Sequence, residues 1–173
     1  AFKTTADPFV GKLTYLRVYG GTLESDSRVH NGRAGEGERL GQIHVVRGKE
    51  QLPVSRLRTG DIGAVAKLAH TVTGDTLCDK GHPVSLPGPA LPSPLFGVAV
   101  SPTSKADQAK LGPTLTRICE EDPTLRWHPE LSTGQTILEG MGEAYVDIAL
   151  KGMENRFDVG VETSVPKVPY KET

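Results

Sequence analysis

From His82 to Pro94 the chain reads His-Pro-Val-Ser-Leu-Pro-Gly-Pro-Ala-Leu-Pro-Ser-Pro, five prolines in thirteen residues. Each proline fixes φ and removes a backbone donor, so neither a helix nor a central strand can cross this stretch. It predicts an extended connector that divides the 173 residues into two small domains, 1–88 and 95–165, joined by a linker over 89–94. Charge changes at the same place. Residues 1–88 hold 12 Lys/Arg against 9 Asp/Glu, and residues 89–173 hold 8 against 12. Neither balance announces nucleic acid by charge alone.

The first part reads as all-β. Leu13-Thr-Tyr-Leu-Arg-Val-Tyr19 is rich in strand formers and is followed by Gly20-Gly21. The Gly-rich turn Asn31 to Gly37 precedes a strand candidate from Arg39 to Val46. Then come Leu52 to Val54, a turn at Arg58-Thr-Gly-Asp61, the run Ile62 to Leu68, and Thr73-Gly-Asp75 turning into Thr76-Leu-Cys78. Short strands separated by Gly/Asp turns at this spacing predict a small closed β-barrel.

The second part changes period. Phe96, Val98 and Val100 alternate as a half-buried strand should. Ser104 offers a helix N-cap, with Asp107 as its capping-box partner. Leu111, Leu115, Ile118 and Cys119 mark one helical face, and Gly112-Pro113 is expected to kink or restart that helix. Asp122-Pro123 stops it. Leu125 and Trp127 share a strand face, Pro129 to Gly134 make a hairpin loop, and Ile137-Leu138 lie in the returning strand. A second helix is expected from about Glu143 to Asn155, with Val146, Ala149, Leu150 and Met153 inward. Phe157, Val159 and Val161 alternate as a last strand. The order β-α-β-β-α-β is that of an α+β ferredoxin-like domain.

Gly140-Met-Gly142 therefore falls where a strand enters the second helix. Its glycines are expected to supply backbone freedom for a tight corner, and Glu143 to cap the positive helix start. Such a corner could also serve as a phosphate cradle or a catalytic elbow. A phosphate-binding loop needs Gly-x-x-x-x-Gly-Lys-Ser/Thr, and no such string occurs. Gly35-Glu-Gly37-Glu-Arg-Leu-Gly41 misses a dinucleotide fingerprint by one position and reads as a hairpin turn. A nucleophile elbow needs Gly-x-Ser-x-Gly, and this corner has no nucleophile. The five histidines, His30, His44, His70, His82 and His128, have no two at i,i+4. Cys78 and Cys119 are too few for a disulfide framework. Cys78-Asp-Lys-Gly-His82 resembles half a metal site without a second half. A thiol hydrolase would lack a placed base. The acidic Glu120-Glu-Asp122 reads as a solvated helix end or a contact for a basic partner.

The remaining functional class is RNA contact. Lys12, Arg17, Arg28, Arg33, Arg39, Arg47, Arg56 and Arg58 lie on or between predicted barrel strands. Several on one face would hold phosphates; scattered, they are solubilising charges.

Several strings in order resemble a known family. Lys3-Thr-Thr-Ala-Asp-Pro-Phe-Val-Gly-Lys12 followed by Arg17-Val-Tyr-Gly-Gly-Thr-Leu23 is similar to the start of the second domain of bacterial elongation factor G. Thr59-Gly-Asp-Ile-Gly-Ala-Val65 and Thr73-Gly-Asp-Thr-Leu-Cys78 resemble its later strands. Ser104 to Gly112, Glu120-Glu-Asp-Pro-Thr124 and Thr133-Gly-Gln-Thr136 through Gly140-Met-Gly-Glu143 resemble the third domain. Residues 166–173 resemble the start of the link into a fourth.

The resemblance implies a translation-factor barrel followed by a ferredoxin-like domain, within a ribosomal translocase driven by GTP hydrolysis. It implies a barrel resting on small-subunit ribosomal RNA, with Lys12, Arg17, Arg28, Arg39 and Arg47 as contacts. It implies that the third domain touches a small-subunit ribosomal protein and couples to the GTPase domain through Asp122, Glu143 and Tyr145. GTP and magnesium are then expected in the longer protein and no cofactor in this piece. A cytoplasmic setting without membrane or DNA is also expected. A fusidic acid pocket lies among the family's GTPase, second and third domains. The family usually follows Gly-Met-Gly-Glu with Leu-His-Leu, whereas here Ala144-Tyr145-Val146 stands. That departure points to a divergent or second-copy elongation factor G, or to a relative such as a tetracycline ribosomal protection protein. The alternative is a free-standing RNA- or protein-binding module of the same folds.

Overall fold

The computed structural model describes residues 1–7 and 11–168. Part of the segment Lys3 to Lys12 and most of the expected link over 166–173 therefore lie outside the described residues. The chain forms two compact units, Ala1–Pro89 and Ala90–Thr173.

In the first unit the described strands are β1 (Lys3–Asp7), β2 (Gly11–Arg17), β3 (Thr22–Glu24), β4 (Arg28–Asn31), β5 (Glu36–Arg39), β6 (Ile43–Arg47), β7 (Glu50–Val54), β8 (Arg56–Arg58), β9 (Ile62–Ala66) and β10 (Leu77–Cys78). They pair antiparallel in three sheets, β1-β2-β9-β6-β7, β10-β4-β5 and β3-β8. All three sheets supply one apolar core. Leu16, Leu40, Ile43, Leu57, Val65 and Leu68 are buried there, and Leu23, Val29, Val54 and Leu77 pack against them.

Two expected strands are shorter than the sequence suggests, for one reason. Leu40 and Ile43 are both fully buried yet three positions apart, so a straight strand would send them to opposite faces. The chain instead leaves β5 after Arg39 and re-enters at Ile43. The break is tied to the β3–β4 turn by Leu40 N–H donating to the Ser27 carbonyl (2.9 Å) and Ile43 N–H to Ser25 Oγ (3.0 Å). Similarly, β9 ends at Ala66, and Lys67 adopts φ 61°. That turn returns Leu68 to the core beside Val65.

The proline-rich stretch has no helix or strand, and its first part runs along the barrel. Leu86 N–H donates to Thr76 Oγ1 at 3.0 Å. A Cβ on Gly74, whose φ is +98°, would stand 3.5 Å from Pro89 Cδ.

The second unit contains β11 (Phe96–Pro102), α1 (Lys105–Glu121), β12 (Arg126–Glu130), β13 (Gln135–Gly140), α2 (Glu143–Phe157) and β14 (Val161–Ser164). The antiparallel sheet order β12-β13-β11-β14 places the first and third strands centrally, as the ferredoxin-like arrangement requires. Leu111, Leu115 and Ile118 of α1 and Val146, Leu150 and Met153 of α2 form one core with Val100, Leu125 and Leu138. Ser104 caps α1, its Oγ accepting from Asp107 N–H at 3.1 Å.

Two expectations are corrected here. Pro113 does not restart α1, which continues unbroken from Lys105 to Glu121. The ring removes the donor for the carbonyl four residues back. Ala109 and Pro113 are both exposed, so water can satisfy that carbonyl. Phe157 belongs to α2, not to a strand. The spacing Val146, Leu150, Met153, Phe157 keeps the helical period, and Asp158 then ends the helix at φ 52°. Val159 is buried after the turn, and β14 starts only at Val161.

Candidate functional site

The basic positions of the barrel do not share one face. Side chains alternate along a strand, so Lys12 and Arg17, five positions apart on β2, point to opposite faces. Arg17 is exposed, and its guanidinium lies 5.6 Å from the centre of the Tyr19 ring, which is 71 % exposed. Arg47 is exposed at the end of β6, opposite Glu50 in the β6–β7 hairpin. Arg28 and Arg39 stand directly opposite each other on β4 and β5, both exposed. The structure thus brings together one pair of the five.

Two acids not expected as site residues are buried inside the barrel, Glu38 on β5 and Asp75 in the turn before β10. Glu38 is 4 % exposed. Its carboxylate accepts from Ala69 N–H (3.1 Å), His70 N–H (2.7 Å) and the Thr71 hydroxyl (2.8 Å). Asp75, 6 % exposed, accepts from Asn31 Nδ2 (2.8 Å), Val72 N–H (2.9 Å) and the Arg33 guanidinium. Burial disfavours both charges. The donors outweigh it and hold both carboxyls below their ordinary values. Arg33 is therefore committed to the fold. The signal available in the sequence was Glu38 at an inward position of its strand, one residue before Arg39.

In the second unit, Asp122 and Tyr145 meet. Asp122 closes α1. Its carboxylate accepts from Thr124 N–H (3.0 Å), the Thr124 hydroxyl (2.7 Å) and the Tyr145 hydroxyl. Thr124 Oγ1 and the Tyr145 hydroxyl are 2.9 Å apart. Burial opposes the Asp122 charge, but the bonds from Thr124 and Tyr145 outweigh it and its carboxyl lies below the usual range. Burial, and then the bond to Asp122, push the Tyr145 phenol up. Burial and the neighbouring Asp122 push the Cys119 thiol up to about 11. A thiol so held is protonated at neutral pH and a poor nucleophile.

The Gly-Met-Gly corner departs from its expected explanation. Neither Gly140 nor Gly142 has a positive φ in the left-handed region. Gly140 is required by packing, since a Cβ there would stand 2.9 Å from Val146 Cγ2 and 3.1 Å from Leu125 Cδ2. Gly142 is the N-cap of α2 and makes no side-chain cap. Glu143 is the first helical residue rather than the cap. It is exposed and acts on the helix dipole alone.

Gly35 and Gly37 lie in the β4–β5 hairpin and not at a helix start. Acidic residues occupy the first turns of both helices. None of these features suits a nucleotide phosphate. Among the described residues no group of three or more His, Cys, Asp or Glu is placed to hold a metal, and no helix is long and apolar enough to cross a membrane.

A β-barrel unit in series with a ferredoxin-like unit defines a translation-factor type of chain. Residues 1–80 match the family described as Elongation factor G domain 2, and residues 91–165 match Elongation Factor G, domain III. The chain belongs to the elongation factor G family and carries its second and third domains. A crystal structure of a protein from Thermus thermophilus is similar over 96 % of this chain, with 36 % identity and a TM-score of 0.83. The chain spans 25 % of that protein.

Proposed function

We propose that this chain is the docking and relay portion of a ribosomal translocation GTPase of the elongation factor G type. The observation that carries the reading is the match of two consecutive family domains, in order, over nearly the whole chain. The barrel rests on small-subunit ribosomal RNA through its exposed arginines. The second unit touches a small-subunit ribosomal protein and receives the state of the GTPase domain near Glu143 and the Asp122–Tyr145 corner. GTP and its magnesium ion belong to the GTPase domain of the longer protein, and this portion hydrolyses nothing itself. The setting is cytoplasmic. Tyr145, in place of the histidine usual at that position, marks a divergent or second-copy member.

Cosedimentation with whole ribosomes and separated subunits across a salt series tests the reading. The expected result is salt-sensitive binding to the small subunit. Absence of binding at low salt, or equal binding to both subunits, contradicts docking by this portion.

A further inference from the structure

The β10-β4-β5 sheet segregates charge across its two faces. Inward positions hold Val29 against the core and the buried Glu38 and Asn31. Outward positions on the paired residues are Arg28 and His30 of β4, Gly37 and Arg39 of β5, and Cys78 of β10. None of these is acidic, in a chain whose net charge is −1. Arg28 and Arg39 are cross-strand partners. Neither makes an ion pair among the described residues. Like charges directly opposite on an antiparallel ladder repel and destabilise the sheet. An anion bridging both guanidinium groups reverses the sign of that interaction, because each fork donates charge-assisted hydrogen bonds to phosphate oxygens.

We propose that this face is a phosphate clamp, in which Arg28 and Arg39 hold a backbone phosphodiester of RNA between them while Lys12 on β2 takes no part. The inference rests on the docking reading above for its target and on the strand register for its geometry. It names the pair as the element that fixes the barrel on its RNA. It also carries an unusual corollary. The residues that bind should be a liability to the free protein.

The test uses the whole chain and two readouts. The first is fluorescence anisotropy with a labelled RNA hairpin from low to moderate salt. The double variant Arg28→Gln/Arg39→Gln is expected to bind several-fold more weakly at low salt. Its plot of log affinity against log salt should be flatter by about 0.7 to 0.9, one phosphate contact. Lys151→Gln, which removes a charge on exposed α2 surface, is expected to leave both unchanged. The second readout is thermal unfolding without RNA. Arg28→Gln is expected to raise the midpoint of the barrel by about 1 to 4 °C at low salt, with the gain closing as salt screens the pair. That shift also certifies that the variant folds. Unchanged hairpin binding by the double variant overturns the clamp, as does an equal loss in Lys151→Gln. A fall in the Arg28→Gln midpoint removes its physical basis. Hairpin binding lost in the double variant, with no small-subunit binding by the unaltered chain, keeps the clamp and discards the ribosomal target.

Discussion

Glu38 in the barrel and Asp122 in the ferredoxin-like unit use their carboxylates in opposite ways. In the barrel, Glu38 is buried and accepts from the Ala69 and His70 amides and the Thr71 hydroxyl, in a segment with no regular structure, while Asp75 takes the Val72 amide beside its bonds from Asn31 and Arg33. In the second unit, Asp122 is only half-buried and accepts mainly from the side chains of Thr124 and Tyr145, which joins the end of α1 to the start of α2. The difference follows from backbone satisfaction. Long helices and a four-stranded sheet pair most of their own amides, so an acid is left to link elements. Short strands leave loop amides inside the fold, and an unpaired buried amide costs about 1–3 kcal/mol. There an acid does the pairing.

Removing Glu38 should therefore give the largest effect. Glu38→Ala orphans two amides and a hydroxyl and is expected to destabilise the barrel by about 3 kcal/mol, measured by chemical denaturation followed by circular dichroism. A loss no greater than that of Tyr145→Phe would erase the contrast between the units. Acid should act in the same direction. A carboxyl held below its unfolded value, about 4, stabilises the fold above that pH, and the gain fades as pH falls through the folded value. Two buried acids stand in the barrel, whereas in the second unit Asp122 is half-buried and the other carboxyls held low, Asp107 and Glu130, lie at the surface and are screened by solvent. Between pH 6 and 3 the midpoint seen by circular dichroism should fall further than that seen by fluorescence of Trp127, the single tryptophan, which reports the second unit alone. Coincident midpoints would contradict this.

Gly140→Ala comes next. Its new methyl would crowd Val146 and Leu125, at a cost of roughly 1–3 kcal/mol from overpacking, read by Trp127 fluorescence. Tyr145→Phe removes one hydroxyl from the Asp122 clasp and should cost about 1 kcal/mol. Glu143→Gln should give the smallest change, about 0.3–1 kcal/mol, from weakened charge–dipole attraction. A loss above that range would restore Glu143 as a true cap.

Much of the second unit was legible because its periods are long. Val146, Ala149, Leu150 and Met153 repeat at helical spacing, and all four reach the core. Phe157 failed because it fits both the helical series before it and the alternation after it. Pro113 does not restart α1 because a proline on an exposed helix face loses a bond that water can replace. In the barrel, the turns at Gly60 and Gly74 were visible as Thr-Gly-Asp strings. The break between Arg39 and Ile43 was not, because strand formers flank it and only the shared burial of Leu40 and Ile43 demands it. The basic residues could be named but not sorted. Which arginines share a face depends on register, and only the pairing of β4 with β5 sets Arg28 against Arg39.

Photo-crosslinking from position 37 tests most directly whether that arginine-bearing face meets ribosomal RNA. Gly37 has no positive φ, and a Cβ there would meet only the Val29 carbonyl, at 4.0 Å, so p-benzoylphenylalanine can replace it without strain. The expected result is a covalent adduct to small-subunit ribosomal RNA after irradiation of the bound complex. Cosedimentation with the small subunit but no RNA adduct from position 37 would contradict docking through this face.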